Sequence, residues 1–386
     1  MTAFVQNAIG ILPPGALGVS FFYHLTRQLT ELDDSVYFLE RRGSQSAKAL
    51  RESGKISIAT PSQIQTLPTS EILKSDLITA YQEKCLPEVI LVCTNPDQIL
   101  SVITTIVELL VLLYEEDKLT QPRDSLPIFI LCSNGIYFQR FRQIFIEKIE
   151  EAILFGRLPE LWPNLMPQIV CRLLRGVTIQ TGLREGSGES TLYRPGFKGR
   201  SQLTGGDNQS RERACYILNQ KGGWFEEVIA NSPTRVEFDK ALINLACNLL
   251  GQLYAIDSQG NFKPLTLNEI LIPEHYSDIR KLVNRVFRVG QMVKVYDIQE
   301  DVDVIFNQLI ATGNEHLDHI PSSLQWVNLH IKSGTLKPQL TPTEAWLLEP
   351  LVRYAKASGL EETALYFQQL KEELINKLTL ASQHQI

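Results

Sequence analysis

Short, unbroken apolar runs separated by longer stretches of helical spacing make up the first half of the chain. The runs fall at 8–12, 36–39, 89–93 and 128–132, and helical patterns follow at 15–29, 97–114 and 136–153. A strand with one wet face alternates apolar and polar residues, whereas a continuous apolar strand is buried on both faces. Such strands separated by helices predict a parallel sheet covered on each side, the doubly wound α/β arrangement. From about 234 onward the pattern is helical almost throughout, over 235–254, 273–290, 298–312, 322–333, 343–358 and 361–380. Pro338 and Pro342 punctuate a loop there, and Gly359 is placed to end a helix. The expected fold class is therefore an α/β N-terminal domain over residues 1–230, followed by an all-α C-terminal domain over 231–386.

Two stretches break the alternation. Residues 43–60 read as a β-turn insertion around Glu52-Ser53-Gly54-Lys55. Between Gly186 and Gly223 glycines crowd among Ser, Arg and Asp, and from Arg194 to Arg213 five basic residues stand against two acidic ones. This second stretch predicts a hairpin with a long loop, serving either as a solvated connector or as a lid that grips phosphate.

Composition narrows the choice of partners. With 37 Lys+Arg against 43 Asp+Glu, 44% hydrophobic and 21% charged residues, the 386-residue chain has neither the basic excess of a nucleic-acid-coating protein nor the polarity of a disordered one. The six cysteines form no Cys-x-x-Cys pair and no Cys/His cluster at zinc spacing, so reduced thiols and no metal are expected. The most apolar stretch, 99–113, is shorter than the ~20 residues a bilayer requires, and the N-terminus lacks a signal-peptide pattern. A cytoplasmic protein with no membrane or nucleic-acid partner is the expectation.

Candidate chemistry begins at Ile11-Leu12-Pro13-Pro14-Gly15-Ala16-Leu17-Gly18, where a strand turns into a helix. Dinucleotide-binding folds place Gly-x-Gly-x-x-Gly at this point: the first glycine makes the tight turn, the second lets backbone approach the pyrophosphate, and the third lets helix pack on strand. Gly15 and Gly18 match the second and third; Pro13 takes the place of the first. Twenty-two residues beyond Gly18 stands Glu40, followed by Arg41 and Arg42. An acid there suits a ribose 2′-hydroxyl, and adjacent arginines suit a 2′-phosphate, which favours NADP over NAD. Cys93-Thr94-Asn95-Pro96 and Ser133-Asn134-Gly135 end the third and fourth runs. Ligands of an open α/β sheet bind at the carboxyl ends of its strands, so these turns converge on one crevice.

The helical half holds Lys240, Asn244 and Asn248, recurring every four residues on a segment that is otherwise apolar beyond Asp239. Four-residue spacing aligns them as one polar stripe. On a buried helix such groups must find partners or line a wet cavity, because an unpaired buried polar group costs about 1–3 kcal/mol; on an exposed one they are a narrow solvated stripe.

Together these features resemble the ketopantoate reductase family: the turn Gly15-Ala16-Leu17-Gly18, the strand end Asn134-Gly135, and the helix Lys240-x-x-x-Asn244-x-x-x-Asn248, in matching order across most of the chain. Pro321-Ser322-Ser323-Leu324-Gln325 is similar to the family's Pro-Ser-Ser-x-Leu-Gln segment, and Thr343-Glu344 to its Thr-Glu segment. The resemblance implies a Rossmann-like domain followed by a helical domain, NADPH as cofactor, reduction of a small 2-oxo acid, and room for a homodimer. It implies Lys240 as the general acid and Glu344 as the carboxylate that orients the substrate hydroxyl. Asn244, Asn248 and Ser322 would hold substrate oxygens, with Asn134 between nicotinamide ribose and substrate. Gly15, Ala16, Leu17 and Gly18 would lie under the pyrophosphate, Glu40 and Arg41 at the adenosine ribose, and Asn95 beside the cofactor.

The sequence departs from the family at Pro13, at Asn95 where a lysine is usual, at Trp326 where an aspartate is usual, and by an insertion within 332–342. A second function class follows: a dinucleotide-binding sensor or structural protein without catalysis. His316 and His319, three residues apart beside Glu315 and Asp318, are a lesser candidate for metal binding, and Gly186-Ser187-Gly188 lacks the spacing of a hydrolase elbow.

Overall fold

The computed structural model describes residues 4–32, 34–186 and 190–383. The chain divides into two compact units, the first Met1–Asn134 with Phe138–Pro233, the second Gly135–Tyr137 with Thr234–Ile386. Of the glycine-rich stretch, Ser187 and Gly188 lie outside the described residues.

The strands of the first unit are β1 (Val5–Leu12), β2 (Val36–Leu39), β3 (Lys55–Ala59), β4 (Ile64–Pro68), β5 (Leu73–Lys74), β6 (Pro87–Val92), β7 (Ile128–Leu131), β8 (Leu173–Thr178), β9 (Gly182–Glu185), β10 (Leu192–Pro195), β11 (Ser201–Gly205) and β12 (Phe225–Glu227). Eight form one sheet in the order β12-β11-β8-β7-β6-β1-β2-β5. It is parallel from β8 to β5, and β11 runs antiparallel to β8. Consecutive residues of the apolar runs, such as Ile9, Val89, Ile90, Leu91, Ile128, Phe129 and Ile130, are all fully buried, as strands covered on both faces must be. The first helix, α1 (Ala16–Leu25), follows β1, and the long apolar helix Ile99–Glu115 follows β6. With its preceding turn from Pro96 this second helix reaches 20 residues and is long and apolar enough to cross a membrane by length and composition alone; Val102, Ile103, Ile106, Leu109, Leu110 and Leu113 are buried within the unit.

Both irregular stretches carry more structure than their sequences suggest. Residues 43–60 are not a turn insertion. Ser44 caps a helix, Gln45–Ser53, by accepting from the Ala47 amide, and Gly54 ends it at φ +68° before β3 begins. The expected hairpin is formed by β9, just before the stretch 186–223, and β10 within it, and the described residues beyond β10 are not one long loop. There β11 joins the large sheet, and Asp207 caps a helix, Asn208–Gln220. The polar residues at the C-terminal end of the stretch belong to that helix, whose Ala214, Ile217 and Leu218 are buried and whose Arg213 is part-exposed. A smaller sheet, in the order β4-β3-β10-β9, ties the two stretches together across more than a hundred residues of chain.

The second unit is built of helices: Pro233–Asn244 continuing through a π-helical segment, Leu245–Leu250, into Gly251–Ala255, then Tyr276–Met292, Val302–Asn314, Ser322–Lys332, Pro342–Ala357 and Glu361–Ser382. Gly359, at φ +69°, follows the end of Pro342–Ala357 in the left-handed conformation that a helix terminus favours in glycine. Phe238, Ala241, Leu242, Leu245, Leu249 and Leu250 make the helix of Lys240 the centre of this unit's core.

Candidate active site

In the first unit, β1 runs into α1 through the two prolines. The Gly15 amide turns back to the Pro13 carbonyl (2.8 Å), and the first intrahelical bond is Val19 to Gly15. No side chain caps α1, so the amides of Ala16, Leu17 and Gly18 point out of an open helix end, where an anion is favoured. A Cβ on Gly18 would stand 2.4 Å from the Pro13 carbonyl oxygen, so helix and turn touch there, whereas a Cβ on Gly15 would meet nothing within 4 Å. Gly18 is needed for packing; Gly15 leaves the face of the turn open for a group from outside.

At the end of β2, Glu40 accepts from Arg51, and Arg42 pairs with Glu108 at 2.6 Å. Arg41 donates to Ser101 (3.2 Å), its Nε is buried without a partner, and no carboxylate pairs with it among the described residues. The basic group of this corner with unused capacity is therefore Arg41.

Hydrogen bonds lace the neighbouring strand ends. The Cys93 amide donates to the Leu12 carbonyl (2.7 Å), Ser133 Oγ donates to the Thr94 carbonyl (2.6 Å), and the buried Arg175 on β8 donates to the carbonyls of Ser133 (2.7 Å), Gly176 (3.1 Å) and Leu131. Asn134, half-buried, follows this clamp, and Asn95 stands exposed before the turn Pro96–Gln98.

In the second unit the polar stripe is buried. Asn244 and Asn248 are 4% and 8% exposed, and Asn248 Nδ2 donates to Asn244 Oδ1 at 3.4 Å. Asn248 Oδ1 accepts from the Ser323 amide (3.1 Å) and lies 3.5 Å from the exposed Ser322 hydroxyl. Gln252 donates to the Asn248 carbonyl (3.0 Å) and to Glu344 Oε1 (3.2 Å), and the Ser323 hydroxyl donates to that same oxygen. The chain of bonds joins Asn244, Asn248, Ser323, Glu344 and Gln252. Two atoms in it have no partner: Asn244 Nδ2 and Glu344 Oε2. The π-helical segment begins just after Asn244, a distortion common at functional sites.

Lys240 sits one turn before Asn244 and makes no hydrogen bond or ion pair among the described residues. Its sequence neighbour Asp239 is taken by Arg235 (3.0 Å) and by the Tyr296 hydroxyl (3.1 Å). The Lys240 side chain keeps some exposed surface, yet packing around the ammonium strips most of its hydration and pushes its pKa down to about 8. Burial raises the nearby Cys247 thiol to about 12, and burial, His316 and the Lys240 charge lower His319. Burial also raises the Glu344 carboxyl, against the pull of its hydrogen bonds from Ser323, the backbone and Gln252. Among the described residues no group of three His, Cys, Asp or Glu is placed to hold a metal.

No family model and no curated protein matches the sequence. Solved structures do match in fold. D-mandelate dehydrogenase, in a ternary structure with NADH and anilino(oxo)acetate, superposes with a TM-score of 0.63 at 17% identity, over 97% of this chain and 99% of that one. A probable 2-dehydropantoate 2-reductase from Bacillus subtilis gives 0.57 at 15% over 96% and 99%, and the dimeric ketopantoate reductase from Staphylococcus aureus 0.55 at 14% over 95% and 99%. The chain has the ketopantoate reductase fold. Ser323 and Gln252 belong to the buried network of the second unit and Arg175 to the strand-end clamp of the first, and the sequence reading gave none of the three a role; His319, named there only with His316 as a lesser metal candidate, is a histidine whose pKa the Lys240 charge helps to lower. Ser323 and Gln252 carried a signal: one adjoins Ser322, and the other extends the four-residue stripe from Asn248. Arg175 carried none, since a lone arginine in an apolar run has no pattern.

Proposed function

We propose that the protein reduces a small 2-oxo acid to the 2-hydroxy acid with NADPH. The observation that carries this reading is the buried network of the helical unit, where among the described residues Asn244 Nδ2 and Glu344 Oε2 lack hydrogen-bond partners, beside a Lys240 whose ammonium is desolvated. Leaving two buried polar atoms unpaired costs about 1–3 kcal/mol each, which a small polar ligand would recover.

NADPH, when bound, supplies the hydride. The open turn at Gly15, with the amides of Ala16, Leu17 and Gly18, fits a pyrophosphate, and Arg41 fits a 2′-phosphate. Glu40 is already engaged by Arg51, which favours Arg41 as the group that chooses between cofactors. Asn134 and Asn95 would flank the nicotinamide ribose. Lys240 holds a proton for the ketone oxygen as negative charge builds there. A pKa of about 8 makes it a readier acid than an ordinary lysine near 10.4. Asn244, Asn248 and Ser322 orient substrate oxygens without adding a competing charge, and Glu344 Oε2 accepts the hydroxyl hydrogen.

NADPH oxidation measured against a panel of 2-oxo acids, including ketopantoate and phenylglyoxylate, tests the reading. Turnover of at least one supports it. Tight NADPH binding with no turnover across the panel instead favours a non-catalytic dinucleotide-binding protein, a reading that the exposed Asn95 and the packing of Trp326 against His330 (4.2 Å between centroids, rings tilted by 47°) support.

A further inference from the structure

The hairpin β9–β10 presents one face to the glycine turn. Tyr193, 1% exposed, donates its hydroxyl to the Pro14 carbonyl at 3.1 Å. A Cβ on Gly182 would lie 2.4 Å from the Ala16 carbonyl oxygen, so β9 runs directly against the start of α1. The antiparallel register pairs Tyr193 with Arg184 and Pro195 with Gly182. Residues opposite each other in an antiparallel pair project to the same face, and so do residues two apart on one strand. Arg184 therefore shares the face of Tyr193 and Gly182, about 7 Å along β9 from the contact with Ala16. The opposite face is where charges are matched, by Arg194 and Glu185 at 2.7 Å. Arg184 is exposed and has no carboxylate partner among the described residues, and its charge acts on the Tyr193 hydroxyl.

We propose that Arg184 is a phosphate-binding residue for the diphosphate of the dinucleotide, brought to the glycine turn by the hairpin that Tyr193 and Gly182 fasten there. The proposal rests on the dinucleotide-binding reading above. It gives the β9–β10 hairpin a role as a phosphate-binding arm in place of a connector, and it supplies a cation to a crevice whose strand end at Asn95 carries none. Arginine suits the task because its planar fork donates two parallel hydrogen bonds to phosphate oxygens.

The test is equilibrium binding, followed by protein fluorescence, of NADPH, NADH, ADP and adenosine 2′-monophosphate to the wild-type chain, Arg184→Gln and Arg184→Lys. Loss of one charge-assisted contact predicts that Arg184→Gln weakens NADPH, NADH and ADP about tenfold or more while leaving the 2′-monophosphate unchanged. Arg184→Lys should recover part of the loss, and both variants should melt within about a degree of wild type, as surface substitutions usually do. Equal affinity of wild type and Arg184→Gln for NADPH and ADP overturns the proposal alone. No binding of any dinucleotide by the wild-type chain overturns the dinucleotide reading, and the proposal with it.

Discussion

Ser323 gives its hydroxyl hydrogen to Oε1 of Glu344, closing a loop of 21 residues that includes the segment 332–342. Gln252 donates to the same oxygen, which leaves the other carboxylate oxygen buried and bare. A buried carboxylate with one oxygen that accepts no hydrogen bond among the described residues has capacity to accept one from a ligand. Its position in the first turn of Pro342–Ala357 adds the favourable helix dipole, but burial still raises its pKa.

That imbalance makes Glu344 costly to the fold. A carboxyl raised in the folded state binds its proton more tightly there than in the unfolded chain, so its penalty is present at neutral pH and is relieved as pH falls through the folded value. Glu344→Gln keeps an acceptor for Ser323 and Gln252 and removes the charge. It should raise Tm at pH 7 by about 2 °C or more, measured by calorimetry, and narrow that gain as the pH is lowered toward 4. Oxo-acid reduction should fall in the same variant. A lower Tm would show that the charge is paid for by contacts outside this network.

Lys240→Met should cut the turnover of oxo-acid reduction by about 10² to 10⁴-fold and leave the NADPH dissociation constant within about twofold. The same change should raise the His319 pKa, followed by NMR titration, because the ammonium is one of the charges that lowers it. An unmoved His319 would separate the two side chains.

Reduction should lose rate as pH rises through about 8, where Lys240 gives up the proton the ketone needs. Oxidation of the hydroxy acid should gain over the same range. The fold should respond as well: between about 8 and about 10.4 the unfolded chain holds the lysine proton and the folded chain does not, so stability rises with pH in that window. A flat rate profile from pH 7 to 9 would take the proton away from Lys240.

NADPH should raise the melting temperature more than NADH does, and Arg41→Ala should abolish the difference. The Arg41 Nε without a partner is the reason for expecting both. Equal shifts with the two cofactors in the wild-type chain would assign Arg41 another role.

Tyr193→Phe leaves the Pro14 carbonyl without its buried donor. It should cost about 1–3 kcal/mol in urea unfolding and weaken dinucleotide binding, because the turn at Gly15 loses its anchor. Unchanged binding alongside the lost stability would make the hairpin a structural brace only.

The order of buried strands and helices, the glycine turn and the Lys-Asn-Asn stripe were legible in the sequence because each is a local pattern: an unbroken apolar run, a fixed spacing, a repeat of four. The helix Gln45–Ser53 and the strand β11 were not. A capped amphipathic helix of nine residues and a strand of five carry too few positions for their period to stand out from turn residues such as Ser44 and Gly54. Nor could any local pattern indicate that Ser323, rather than Ser322, would reach Glu344, that Arg51 would occupy Glu40, or that Tyr193 would meet Pro14 across 179 residues. Periodicity fixes which face of an element is apolar; which polar atoms meet, and which are left bare, depends on how distant elements pack, and only the tertiary structure decides that.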